Sequence, residues 1–350
     1  MQKKKLLLLG LVAIGHVWLL QSESIHVFVQ NVQQGKSNSP IPESRAHTGS
    51  TFTLSGEDSS KEEDELMKQI REEAPKLYVP PVDAKVDRIW KAIPGYNGLE
   101  VDIDRTYEAA RKQRGSAPLP FLMKQVAPEV HLDQLGPEPI YKGNPAKPMV
   151  SFMINVAWGD EFIPGILESL RNEHVKATFF FDGSWLKKNV ELAKVIQAEG
   201  HELSNHAYSH KNMSTLSRSK AYEEIVKTEE LLKHELGVTN TLFAPPSGDF
   251  DKETVKIAAE LKLKTVLWTL DTVDWKNPGA PAILAKVRKN IEPGTLILMH
   301  PTASSRAAMP EMIRIIKGKG LQLGTVSQTI SPERLSDPSK PVPGSGSNTD

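Results

Sequence analysis

From Met149 onward, apolar runs of strand length alternate with amphipathic stretches of helical period, and few architectures satisfy that alternation. The runs are Met149–Val156, Ala177–Phe181, Thr241–Phe243, Lys264–Thr269, Thr295–Met299 and Leu321–Val326, with His201–Asn205 a weaker member. Between them, Phe162 to Leu170, Leu192 to Ile196, Tyr222 to Leu232 and Met309 to Ile316 carry apolar residues at helical intervals. Gly200, Gly237 and Gly320 stand where helices should stop. Repeated strand–helix units require a parallel sheet covered by helices. Six or seven of them favour a closed or nearly closed barrel over an open sheet. The expected fold class is α/β, a distorted (β/α)7-type barrel. In such a barrel the chemistry collects where strands end.

The residues just past those ends are informative. His206 and His210 follow the weaker run, four apart; one helical turn would aim both imidazoles the same way and make a pair of ligands for zinc or a similar ion. The alternative is a polar turn that happens to hold two histidines. Ala244-Pro245-Pro246-Ser247-Gly248, Asp271-Thr272-Val273-Asp274-Trp275 and Leu298-Met299-His300 follow or end other runs. On a barrel all these groups meet on one face.

The rest of the chain is read more coarsely. Met1-Gln2-Lys3-Lys4-Lys5 precedes an apolar run, Leu6 to Leu20, so residues 1–20 read as an export signal, cleaved or kept as a membrane anchor. Residues 21–61 read as a flexible linker. Residues 62–147 read as a small α/β module and connector, opening with a charged helix that Pro80 and Pro81 break. Val86, Ile89 and Trp90 fall at helical spacing, and Asp104 suits the cap of a helix from Arg105 to Arg114. Trp90 and Tyr96 read as core aromatics, with a sugar-stacking surface the other option. Residues 148–330 form the barrel, and 331–350, rich in Pro, Ser and Gly, read as disordered. Forty-three basic residues balance 43 acidic ones, so charge gives no argument for nucleic acid. The chain has no cysteine, which excludes disulfides, thiolate ligands and a Cys nucleophile.

Taken together, the segments between Pro148 and Ile330 resemble the polysaccharide deacetylase family, the NodB homology domain of carbohydrate esterases. Asn205–His210 is similar to the family's metal-binding His-Ser/Thr-x-x-His motif, and Phe243–Gly248 to its Arg-x-Pro-aromatic-Gly motif. Asp271–Trp275 is similar to Asp-x-x-Asp-Trp, and Leu298–His300 to Leu-x-His. Lys176–Phe180 and Ala198–Glu202 match framework segments. The N-terminal module and Ile297–Thr302 are similar, more narrowly, to deacetylase-like proteins of endospore-forming bacteria, which implies sporulation or wall assembly.

The resemblance implies metal-dependent hydrolysis of an N-acetyl group on a cell-wall glycan such as peptidoglycan. His206 and His210 would hold a divalent metal, in the first place zinc. Asp274 would orient a catalytic His300, and Pro246, Trp275 and Leu298 would line the substrate site. The family's first motif reads Thr-Phe-Asp-Asp-Gly, where the first Asp is the base and the second binds metal. Here the aligned residues are Met153-Ile154-Asn155-Val156-Ala157. Asn155 stands at the base and cannot accept a proton near neutral pH. Val156 stands at the metal carboxylate, and Ala244 at the Arg that would pair with the base. Without the acid that Arg would be a buried unpaired cation, so the three changes are consistent with one another. Asp160, just beyond, suits either a metal ligand or the cap of the next helix. Two functions follow: a slow deacetylase with altered chemistry, or a glycan-binding scaffold that has lost catalysis.

Overall fold

The computed structural model describes residues 56–113 and 118–335, with residues 56–64 described through their backbone alone. The expected signal and linker, at 1–20 and 21–61, lie outside the described residues except for 56–61. Among the described residues no helix is long and apolar enough to cross a membrane.

Strands β5 (Met149–Val156), β6 (Thr178–Phe181), β7 (Glu202–Asn205), β8 (Leu242–Phe243), β9 (Lys264–Thr265), β10 (Leu270–Asp271) and β11 (Leu296–Met299) form one parallel sheet in the order β10-β11-β5-β6-β7-β8-β9. β12 (Gln322–Gly324) pairs with the first residues of β5. The end strands β9 and β10 are chain neighbours, so the sheet has to curl until its edges approach. This is the expected distorted barrel.

β5 is buried at every position because both of its faces are covered. Val150, Phe152, Ile154 and Val156 join a core with helices α3 (Ile163–Asn172) and α9 (Ala303–Gly318). Met153 faces the other way, into an inner core with Phe180, Leu242, Val266 and Leu296. The outer layer is completed by α4 (Gly183–Lys188), α5 (Val190–Ala198), α6 (Arg218–Leu236), α7 (Lys252–Glu260), α8 (Ala280–Asn290) and α10 (Val326–Ile330). Gly237 ends α6 in the left-handed conformation, φ 65°, as its position implied.

The run Lys264–Thr269 is not one strand. Ile140 inserts at Val266: its N–H donates to the Thr265 carbonyl at 2.9 Å and its carbonyl accepts from Leu267 N at 2.8 Å. The connector thereby fills the seam between β9 and β10. The run Leu321–Val326 stops at Gly324, because Thr325 caps α10 through Gln328 N.

Before the barrel lie α1 (Gly56–Glu73), the hairpin β1 (Lys85–Asp87) and β2 (Lys91–Ile93), the antiparallel pair β3 (Gly98–Val101) and β4 (Met123–Val126), and α2 (Ile103–Lys112). α1, α2 and the β3–β4 pair surround Ile70, Val101, Phe121 and Met123, while Ala92 of β2 joins the barrel's inner core. Several local expectations need correction. α1 gives way at Glu73 to a 3-10 turn containing Pro75, before Pro80 is reached. Val86 lies in β1 and Trp90 in the hairpin turn, where Asp87 accepts the amides of Ile89 and Trp90, so the helical spacing there is accidental. Asp102, not Asp104, caps α2, accepting from Arg105 N at 3.1 Å. Tyr96 is core, covered by the Arg334 guanidinium 4.4 Å from its centroid, and Trp90 packs edge-on to Tyr141. The tail is ordered through Leu335: Arg334 donates to the Asn97 carbonyl at 2.7 Å, and the Pro332 carbonyl accepts from Asn97 N. Residues 336–350 lie outside the described residues.

Candidate active-site cleft

The C-terminal ends of the strands carry loops with non-glycine residues in the left-handed region: Ala207, His210, Ser247, Val273 and Asn277. Backbone strain of this kind persists where surrounding contacts impose it, and it concentrates at functional sites. The loops enclose a cleft of about 440 Å³ lined by Asn155, Trp158, His210, Ser247, Trp268, Asp271, Trp275, Leu298 and His300.

His206 and His210 do converge, with ring centroids 5.2 Å apart and planes at 72°. They do so without the helical turn that their spacing suggested. The segment is a loop in which Ala207 and His210 take φ 59° and 52°. Asn205 accepts from Ala207 N at 2.7 Å, and Glu224 of α6 accepts from Tyr208 N, Ser209 N and the Ser209 hydroxyl at 3.1, 2.7 and 2.6 Å. His206 is buried and places Nδ1 2.7 Å from the Ala244 carbonyl. A carbonyl only accepts, so Nδ1 carries the proton and the Nε2 lone pair is left for a ligand. Burial, aided by the His210 charge, pushes the His206 pKa down to about 3, so the ring stays neutral.

Two imidazoles suit a transition metal, but the donor set stops there. Among the described residues no three His, Cys, Asp or Glu side chains are grouped to hold a metal ion. Val156 sits in the core between sheet and helices and not in the cleft wall. Asp160 does not complete the set, and it caps no helix: its Oδ1 accepts from Trp185 Nε1 at 2.5 Å. The residues present therefore fall short of the family's metal centre.

Asp274 and His300, by contrast, are brought together as a hydrogen-bonded pair. Val273, at φ 56°, starts the turn that places Asp274 beneath His300. Asp274 is buried and accepts from His300 N at 2.6 Å, from His300 Nδ1 at 2.8 Å and from the Ser305 hydroxyl. With Nδ1 as the donor, His300 turns Nε2 away from the carboxylate, as a proton-transfer pair requires. Asn155, 3% exposed, lies in the cleft lining with Oδ1 unpartnered.

Trp275 and Leu298 are among the residues lining the cleft. Pro246 is not: it is buried, and the left-handed Ser247 after it presents its own side chain. Trp158 and Trp268 are wall residues that the sequence reading passed over, and Asp271, quoted there only within its motif, is a third. Trp268 lies against Gly248, where a Cβ would meet its ring at 2.6 Å. Trp158 follows the dismantled first motif directly, which is the one signal that could have found it.

A polysaccharide deacetylase family profile matches residues 142–266. The YlxY protein of Bacillus subtilis (strain 168) is 44% identical over 272 residues, 78% of this chain and 85% of that one. A peptidoglycan-N-acetylglucosamine deacetylase of Bacillus cereus is 36% identical over 171 residues, 47% of this chain and 62% of the relative. Among solved structures, a CE4-family pseudoenzyme from Bacillus anthracis superposes with TM-score 0.71 at 41% identity, covering 77% of this chain and 96% of that one.

Proposed function

Because the chain belongs to the polysaccharide deacetylase family and its catalytic site is incomplete, we propose that it holds an N-acetylated cell-wall glycan in the cleft and leaves the acetamide largely intact. The observation that carries this reading is Asn155. The side chain at the base position is an amide, present in the cleft lining and unable to take a proton from water.

What survives is suited to binding. Trp158, Trp268 and Trp275 offer apolar faces, and Asn155, Ser247, Asp271, His210 and His300 offer polar partners around one cleft. His300, oriented by Asp274, still has the Nε2 lone pair available to accept a hydrogen bond from a ligand hydroxyl. Zinc is the ion that two imidazoles would favour, but His206 and His210 alone would hold it weakly compared with a three- or four-ligand site. Similarity to a peptidoglycan-N-acetylglucosamine deacetylase supports a peptidoglycan ligand, and the basic-then-apolar start of the chain supports export to the cell envelope.

The slow-deacetylase reading predicts something different. Losing a positioned base costs about 10²–10⁴-fold in rate, which leaves a measurable residue of activity. Purified protein with added zinc, incubated with N-acetylglucosamine oligomers and peptidoglycan fragments, separates the two. Binding by calorimetry with no acetate above the metal-only blank supports the scaffold. Stoichiometric metal together with steady acetate release replaces it with a working enzyme.

A further inference from the structure

Trp158 lies outside every motif that suggested the family, yet its indole lies flat on His300, with centroids 5.8 Å apart and planes 8° from parallel. The position is built. Gly159 takes φ 87°, and a Cβ there would collide with the Pro301 carbonyl, so the segment after β5 is pressed onto the segment after β11. Even so, Trp158 remains 45% exposed.

Trp275 is arranged in a similar way. It is 54% exposed, with the Lys276 ammonium 4.8 Å from its centroid. Each rim indole is thus contacted by a polar group of its own chain. Among the described residues neither has a second ring stacked on it. Large apolar faces left in water at the mouth of a cleft mark a binding surface. No Lys or Arg is among the residues lining the cleft, which disfavours a polyanion. A flat indole beside hydroxyl, amide, carboxylate and imidazole groups suits a pyranose, with its C–H face on the ring and its hydroxyls at the polar partners.

We propose that the face of Trp158 turned away from His300 is a second sugar platform, so that the site takes a glycan of at least two pyranose units. One unit lies in the cleft among Asn155, Trp268 and Trp275; the next rests on Trp158. This rests on the glycan-binding reading above. The chemical class is a linked amino sugar, and Trp158 sets the minimum length that binds well.

The test is calorimetric titration of the full chain with N-acetylglucosamine and its dimer to pentamer, for wild type, Trp158→Ala, Trp158→Phe and Trp275→Ala. Wild type should tighten roughly tenfold between one unit and two or three, the scale of one aromatic contact. Trp158→Ala should lose that gain, so that its affinity no longer rises from one unit to three, while Trp158→Phe keeps part of the rise. Trp275→Ala should weaken every length. Full length dependence in a folded Trp158→Ala overturns the proposal alone. So does an equal loss at all lengths, which would make Trp158 only a cover for His300. Wild type that binds no oligomer overturns this proposal and the glycan reading together.

Discussion

His201 stands just before β7 and should make the fold acid-sensitive well before its carboxylates titrate. The ring is buried against Phe179, with centroids 5.2 Å apart. Nδ1 accepts from Ala177 N at 3.2 Å, and Nε2 has no partner. Burial first, then the nearby Lys176 and Arg171 charges, push its pKa from 6.5 down to about 4, with Glu199 working the other way. A depressed folded pKa means that the unfolded chain binds the proton first. The contribution is complete above pH 6.5 and is lost as pH falls toward 4. At pH 5 that loss is about 2 kcal/mol, and below pH 4 about 3 kcal/mol. Asp182 and Glu229 act in the opposite sense, since burial raises their pKa and protonation favours the fold. A variant comparison cancels them. His201→Asn keeps an acceptor near Ala177 N and removes the titration. Its baseline stability falls with the lost ring packing, so the quantity to compare is the change between pH 7.5 and pH 5.0. Urea unfolding should show wild type losing about 2 kcal/mol more than the variant, a relative midpoint shift of roughly 1 M. Equal losses in the two proteins would refute the assignment of the acid sensitivity to this imidazole.

Three further outcomes follow from the cleft. Glu224→Ala removes the acceptor for two backbone amides of the His206–His210 loop and should cost about 2 kcal/mol or more in thermal unfolding, with Glu224→Gln recovering most of it. Gly248→Ala should displace Trp268, since the added Cβ meets the ring at 2.6 Å and φ is 67°; near-ultraviolet circular dichroism should change and oligosaccharide affinity should fall. Asn155→Asp supplies a proton acceptor in the cleft and should raise acetate release with added zinc at least tenfold, given the roughly 10²–10⁴-fold worth of a base. No rise in a folded variant would place the deficit at the metal ligands instead.

The barrel was legible because β5, β6 and β11 are buried on both faces and so read as unbroken apolar runs. The short β8, β9 and β10 were less so. Their ends are set by what pairs beside them, and at Val266 that partner is Ile140, 126 positions away by residue number. Helices α4, α7, α8 and α10 were missed, α7 and α8 because charged residues interrupt their apolar stripes. Around the cleft, residue types at strand ends pointed to His206, His210, Asp274 and His300, and Asn155 came only from the family resemblance. The means of convergence were hidden. The local rule of four residues per turn gave the right neighbours for His206 and His210 for the wrong reason, since left-handed Ala207 and a carboxylate from α6 do the work. Trp158 was invisible as a wall because stacking on His300 depends on a loop from a distant strand.

The seam filled by Ile140 bears on how the molecule can be dissected. A fragment begun at Met149, where the composition changes, would leave the Leu267 amide and the Thr265 carbonyl without their mates and open the inner core to water beside Leu242 and Val266. The segment ahead of the barrel therefore acts as a stave of it, and excising the region that looks like a free-standing enzyme would remove part of its wall.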